Sequence, residues 1–359
     1  MLDSVHFSQI TTQQNGLRYI TSAERGFTRK KNKKTFDYFD KSGKRITDKK
    51  IVERINAIGI PPAYRDVWIS PYANGHIQAT GMDAKGRKQY RYHTKWNEAR
   101  DEDKFRNILH FGQLLPKIRK QIDKHMLQRS LSREKVMATV VDLLEKTLIR
   151  VGNAEYARDN DSYGLTTLKA KHVNVKGATI KFQFSGKSGK KWNLSISDRR
   201  IASVIKHCAE IPGKELFKYV DDDGVTRDIT SSDINTYLKE ITGEDITAKD
   251  FRTWSGTVLA AIALSEFEKY DSHAQAKKNV VQAIEKVAAQ LGNTKAVCRK
   301  CYIHPEIINT YINGEYAQMI SGNIDKAIKS AKGLNEDEML VLAFLKKRLG
   351  SGKKAKKRS

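Results

Sequence analysis

Cys298, Cys301 and His304 fall in the stretch VCRKCYIHP as C-x2-C-x2-H, with Tyr302 between them. This spacing raises metal or redox chemistry. A structural zinc site, however, normally brings two well-spaced ligand pairs, and here Cys208 lies far upstream while the other histidines show no paired spacing. The cysteines read as small packing residues, so no metal ligand and no cofactor is expected. Two further stretches are also decoys. Gly186-Lys187-Ser188 matches the end of a phosphate-binding P-loop, but Lys181 stands where the motif needs a glycine, and a strand follows where it needs a helix. Asp221 to Gly224, DDDG, reads as an acidic surface turn.

The tyrosine is the stronger candidate. Arg150 ends an apolar helical stretch, Lys187 occupies a hairpin turn, Arg252 sits in KDFRTWSGT, and Tyr302 follows. Taken singly, each is bland. Taken together, two arginines, a lysine and a tyrosine suit phosphoryl transfer to a tyrosine nucleophile. A second set of residues suits phosphate and base contacts. DAKGRKQYRY brings Lys85, Arg87 and Lys88 together with Gln89, Tyr90 and Tyr92. On a strand, Tyr90 and Tyr92 share one face, and Arg87, Gln89 and Arg91 share the other. Basic side chains meet phosphates, aromatic rings lie against sugars or bases, and a glutamine can read an adenine edge. A third basic stretch follows Arg150, with Tyr156, Lys169, Lys171 and His172.

The elements that position these residues can be read from periodicity. The first hundred residues are rich in strand and turn signals, among them Asn74-Gly75 and the turn at Asp83 to Gly86, with the rigid loop GIPPAYRDV between strands. A charged helical segment follows from about residue 95, broken at Pro116. Val136, Val140, Leu143, Leu144 and Leu148 then form one helical stripe. Gly152 and Asn153 are expected to stop this helix, which puts Arg150 at its end. Ile180, Phe182 and Phe184 alternate before a turn carrying Lys187, and Trp192, Leu194 and Ile196 alternate after it. From Ser231 the pattern is helical almost to the end, with Val280, Val281, Ile284, Val287, Ala288 and Leu291 facing a core.

Composition agrees. The chain has 359 residues, 39% of them hydrophobic, enough for two domains with proper cores. Its 66 Lys and Arg against 41 Asp and Glu give a net charge of +25, which favours a polyanionic partner, nucleic acid first. No apolar run reaches the roughly 18 residues of a membrane span. The N-terminal stretch has no basic start and apolar core of a secretory signal. Three cysteines, two of them three apart, suggest no disulfide framework and point to a reducing, cytoplasmic setting.

In this order the motifs resemble the type IB DNA topoisomerases, in particular their compact poxvirus-like and bacterial branch. The resembling segments are MDAKGRKQY, RVGNAEY with YGLTTLKAKH from Arg150 to His172, FSGK ending at Lys187, KDFRT from Lys249 to Thr253, and LGNTKAVCRKCYIHP. They run co-linearly over about residues 35–315. One position departs, since Asn293 stands nine residues before the tyrosine, where the poxvirus enzymes have histidine. The resemblance implies that double-stranded DNA is relaxed through a 3′-phosphotyrosyl intermediate without ATP. It also implies that Tyr302 is the nucleophile, that Arg150, Arg252 and Asn293 hold the phosphate, and that Lys187 is the general acid. The expected fold is α+β, with residues 1–97 a small β-rich DNA-binding domain and 98–349 a mostly helical catalytic domain. A flexible basic tail is expected over 350–359. The whole is expected to act as a monomer clamped around duplex DNA, nucleoid-associated in a bacterium or virus-encoded. A tyrosine recombinase shares the Arg, Lys, Arg and Tyr logic, but usually carries H-x-x-R where this chain has Lys249 before Arg252. A non-catalytic basic DNA-binding protein explains the charge and leaves the ordered set unexplained.

Overall fold

A computed structural model of the chain describes residues 12–13, 15–33, 35–84, 86–267, 270–316 and 333–355. The chain divides into two compact units, Met1–Phe105 and Arg106–Ser359, which makes the architecture α+β.

The first unit is built on a five-stranded antiparallel sheet, in the order β2-β1-β3-β4-β5. Its strands are β1 (Phe27–Asn32), β2 (Thr35–Phe39), β3 (Arg65–Ile69), β4 (Ile77–Met82) and β5 (Lys88–Tyr92). Tyr38, Val67, Ile69 and Ala79 bury one face together with Ile55 of helix α1 (Lys49–Ala57). That helix is absent from the sequence reading, although its signal is present: Asp48 caps it by accepting the Lys50 and Ile51 N–H groups at 2.8 and 3.3 Å. The loop GIPP is held as expected, by the Arg29 guanidinium donating to the Pro61 carbonyl at 2.6 Å and the Tyr64 carbonyl at 3.0 Å.

Helix α2 (Thr94–Met126) runs unbroken through Pro116, against the expected break. Proline removes one backbone donor, but Ile108, Phe111, Leu115, Ile118 and Ile122 bury a continuous stripe that outweighs it. Each such side chain contributes about 1.5–3 kcal/mol. The division between the units falls inside this helix, at Phe105, and Trp96 near its start packs edge-on against His76 of the sheet, 4.9 Å between ring centroids.

In the second unit α3 (Arg133–Thr147) is the central helix, buried from Val136 to Leu144. It stops earlier than expected, at Leu148, which adopts φ 56° and sends its N–H to the Leu144 carbonyl. Asn153 instead caps α4 (Ala154–Asn160). Arg150 thus lies in an extended segment beyond the helix. Strands β6 (Val173–Lys176), β7 (Thr179–Ser185) and β8 (Lys191–Ser197) form an antiparallel sheet. Its register is the expected one, with Ile180 opposite Ile196, Phe182 opposite Leu194 and Phe184 opposite Trp192.

Helix α5 (Arg199–Glu210) precedes the ribbon of β9 (Lys218–Val220) and β10 (Thr226–Asp228), whose turn is Asp221 to Gly224. Then follow α6 (Ser231–Thr242), α7 (Ala248–Ser265), α8 (His273–Leu291), α9 (Lys295–Cys301), α10 (Pro305–Ile312) and α11 (Glu336–Ala355). On α8 the expected stripe holds except at Val281, which is 45% exposed, with Ala276 and Ala283 facing the core alongside it. Helix α11 extends to Ala355, into the stretch expected to be a flexible tail; residues 356–359 lie outside the described residues.

Candidate active site

Helix ends assemble the site. Arg252, on the first turns of α7, is only 3% exposed. Its Nη1 donates to the Leu148 carbonyl at the end of α3, and its Nη2 donates to the Leu291 carbonyl at the end of α8, at 2.7 Å. Arg150 donates to the Gly292 carbonyl at 3.4 and 3.5 Å and to Oδ1 of Asn293. Helix C-termini carry partial negative charge, so they hold guanidinium groups in place without cancelling their charge. Among the described residues neither arginine is paired with a carboxylate. Burial, and then repulsion from Arg150, holds the Arg252 pKa below its ordinary value, opposed by Tyr302.

Two buried donors here have no acceptor among the described residues: Nε of Arg252 and Nδ2 of Asn293. The orientation of the Asn293 amide is settled by chemistry, since Arg150 can only donate and so faces the oxygen. Unpaired buried donors are rare and expensive. Two of them beside two uncompensated guanidinium groups are donors that an anion could satisfy.

Tyr302 caps the C-terminus of α9, its N–H donating to the Cys298 carbonyl at 2.9 Å. The Arg252 guanidinium lies 5.1 Å from the centre of its ring. The Tyr302 backbone is braced from α7. Thr257 Oγ1 shares its proton between the Thr253 carbonyl at 2.8 Å and the Tyr302 carbonyl at 3.3 Å, and accepts from the His304 N–H at 3.1 Å. A Cβ on Gly256 would stand 2.7 Å from the Tyr302 carbonyl oxygen and 3.0 Å from its Cβ. Gly256 and Thr257 are missing from the sequence reading; their signal is a small residue and a hydroxyl four and five positions after Arg252, the next turn of the same helix. Cys298 is fully buried and its thiol is pushed up to about 11 by desolvation, the behaviour of a packing residue. The Nδ1 of His304 accepts the Glu306 N–H and so caps α10.

Lys187 makes no hydrogen bond with this cluster among the described residues. It is exposed in the turn between β7 and β8, its Nζ 5.4 Å from the centre of the Tyr156 ring. Lys169 lies over Tyr163 at 5.3 Å, and Lys171 is exposed beside it.

In the first unit Tyr90 and Tyr92 stack on one face of β5, 5.9 Å apart, and Tyr90 is 45% exposed. The opposite face is less free than expected. Arg87 forms an ion pair with Asp83 at 2.7 Å, and the Gln89 amide donates to the same carboxylate at 3.1 Å. Lys88 donates to Ser22 at 2.7 Å. Lys85 lies outside the described residues.

Comparison with known proteins gives the family. Residues 93–328 match the family of the eukaryotic DNA topoisomerase I catalytic core, and 35–83 match the bacterial DNA topoisomerase IB N-terminal domain. The chain is 33% identical over 295 residues to the DNA topoisomerase 1B of Acanthamoeba polyphaga mimivirus, covering 80% of this chain and 88% of that protein. This chain belongs to the type IB DNA topoisomerases. It is also 22% identical over 302 residues to the vaccinia virus (strain Copenhagen) DNA topoisomerase 1B, covering 79% of this chain and 92% of that enzyme. As a type IB topoisomerase it is an ATP-independent isomerase whose substrate is DNA. Arg150, Lys187, Arg252, Asn293 and Tyr302 all fall inside the matched catalytic core. The segment from Ala84 to Tyr92 falls between the two matched ranges. Among the described residues no helix is long and apolar enough to cross a membrane.

Proposed function

We propose that this topoisomerase cleaves one strand of duplex DNA with the Tyr302 hydroxyl as nucleophile. The phenol gives up its proton to water, its oxygen attacks a backbone phosphorus, the P–O5′ bond breaks, and a 3′-phosphotyrosyl ester forms. A phenol is a weak nucleophile while protonated, so the phosphate must be made electrophilic. Arg150 and Arg252 take the non-bridging oxygens, stay charged throughout, and offset the charge that builds on the pentacoordinate phosphorus. Asn293 adds a neutral donor. Lys187 delivers a proton to the departing 5′-oxygen, which otherwise leaves poorly. The ester conserves the energy of the broken bond, so the 5′-hydroxyl reseals the strand by the reverse attack after rotation has released supercoils.

The observation that carries these assignments is the pair of buried, acceptor-less donors, Arg252 Nε and Asn293 Nδ2. Both are satisfied once bound DNA displaces the groups that now cover them and brings phosphate oxygens within reach. Lys88, Gln89, Tyr90 and Tyr92, with Arg87 once Asp83 releases it, contact the duplex in this proposal, as do Lys85, Tyr156, Lys169 and Lys171. Residues through Phe105 then serve DNA binding and the rest catalysis. The protein works as a monomer closed on duplex DNA, in the compartment that holds its host's genome.

The test is plasmid relaxation without ATP, with the covalent adduct trapped by detergent. Tyr302→Phe abolishes relaxation and adduct while DNA binding persists. An adduct that survives in this variant refutes the nucleophile assignment, and relaxation that requires paired sites and assembly moves the chain towards recombinase chemistry.

A further inference from the structure

Lys187 is exposed on a turn, yet a proton donor has to meet one particular oxygen. What orients that turn is the aromatic residue at the start of β8. Trp192 stacks on Phe184 across the hairpin, 6.1 Å between centroids at 12°. Its indole also lies against two glycines from distant parts of the chain. A Cβ on Gly186, the residue before Lys187, would stand 2.6 Å from the indole Nε1. A Cβ on Gly292, the residue before Asn293, would stand 3.0 Å from the indole Cζ2. Gly292 has φ 61° and is favoured as glycine by its backbone alone. Gly186 has φ −96° and ψ −172°, which any residue adopts. The lack of a side chain at Gly186 is therefore explained by the indole.

The contact joins the two halves of the proposed chemistry. On one side Gly186 accepts from Gly189 at 3.1 Å and donates to the Lys190 carbonyl at 2.7 Å, closing the turn that carries Lys187. On the other side the Gly292 carbonyl accepts from Arg150, and the next residue supplies the unpaired Asn293 amide. Lys190 adds a second link, its Nζ reaching the Ala289 carbonyl at the end of α8 at 3.5 Å.

We propose that Trp192 is a positioning residue whose indole braces the Lys187 turn against the C-terminal end of α8 and so sets the reach of the general acid toward the bound phosphate. This inference rests on the reading of Lys187 as that acid, and the experiment separates the two.

Single-turnover cleavage is measured on an ordinary oligonucleotide duplex and on one with a 5′-bridging phosphorothiolate, whose sulfur leaves without a proton. Misplacing a catalytic group by about 1 Å costs on the order of 100-fold. Trp192→Ala is expected to slow cleavage of the ordinary duplex by roughly 10- to 100-fold, with DNA affinity unchanged, and to approach the wild-type rate on the phosphorothiolate. Gly186→Ala pushes a methyl into the indole without backbone strain and is expected to behave the same way. Trp192→Phe keeps the stack on Phe184 and restores part of the rate. Gly186→Ala and Trp192→Phe carry the test if Trp192→Ala fails to fold. Wild-type cleavage by both Trp192→Ala and Gly186→Ala overturns the inference. So does slow cleavage that the phosphorothiolate does not rescue while it does rescue Lys187→Ala. If Lys187→Ala itself is not rescued, the general-acid reading falls, and the inference falls with it.

Discussion

Replacing Asn293 by alanine separates activity from stability in a way a merely structural residue cannot. In the proposed transition state its Nδ2 donates to a developing oxyanion, and removing one such donor costs about 3 kcal/mol, roughly two orders of magnitude in rate. In the free protein the same amide is buried without an acceptor. An unsatisfied buried donor costs about 1–3 kcal/mol, which the substitution returns. Against this, Arg150 loses the Oδ1 acceptor. It is only half-buried and keeps the Gly292 carbonyl, so the loss is about 1.5–3 kcal/mol, the figure for a bond to a charged group, and the two changes roughly cancel. The backbone bond from the Asn293 N–H to the Ala288 carbonyl, 3.0 Å, survives the change. Asn293→Ala should therefore cleave about 100-fold more slowly with a melting temperature little changed. Single-turnover cleavage and thermal unfolding on the same preparation test this. Asn293→Asp sharpens it: the acceptor for Arg150 remains while the donor becomes an anion facing the phosphate, so the loss must exceed that of alanine. Cleavage within threefold of wild type in Asn293→Asp, or a large fall in melting temperature with cleavage intact in Asn293→Ala, refutes the donor role.

Three further outcomes follow from the geometry. Gly256→Ala drives a methyl against the Tyr302 carbonyl and Cβ; it should cost about 1–3 kcal/mol of stability and slow cleavage on the order of 100-fold, and a variant that cleaves normally would show that the nucleophile segment tolerates displacement. Arg119 donates to Glu145 at 2.5 Å and to Glu338 at 2.8 Å. Arg119→Met strands two carboxylates and should destabilise by about 3–5 kcal/mol. Glu145 is already held above its usual range by burial, and losing the arginine raises it further. The destabilisation should therefore be smaller near pH 5, where Glu145 takes up a proton more readily, than at pH 8, and equal losses at both would contradict the charge argument. The third outcome concerns pH. Burial holds the His76 and His172 pKa values below the ordinary range, with Lys171 and Lys169 adding repulsion at His172. The unfolded chain protonates at about pH 6.5, before the folded chain does, so stability held above that pH is lost as pH falls below it. Urea midpoints between pH 7.5 and 5 should decline, less steeply in His172→Gln, and an identical slope would remove His172 from the account.

Much of the molecule is legible in the residue pattern. The alternation of Ile180, Phe182 and Phe184 against Trp192, Leu194 and Ile196 fixes its own register, because strand periodicity and the turn between the strands are local properties. The stripe on α3 and the order Arg150, Lys187, Arg252, Tyr302 were equally readable. Where local rules met packing, packing won. Pro116 stays helical because of what the rest of α2 buries, and α3 ends at Leu148, ahead of the Gly152 and Asn153 that look like a stop.

The sequence by itself thus determined the family and the candidate side chains in their order, since residue type and spacing carry that information. Only the tertiary structure decided how they are held. The carbonyl that grips Arg252 belongs to Leu148, 104 residues away, and the hydroxyl that braces Tyr302 belongs to Thr257, 45 residues away. A backbone carbonyl is the same group in every residue, so no pattern of side chains marks which ones will meet a guanidinium. The acceptor-less amide of Asn293 is a property of its surroundings for the same reason: a donor becomes an orphan only when folding removes its water and supplies nothing in return.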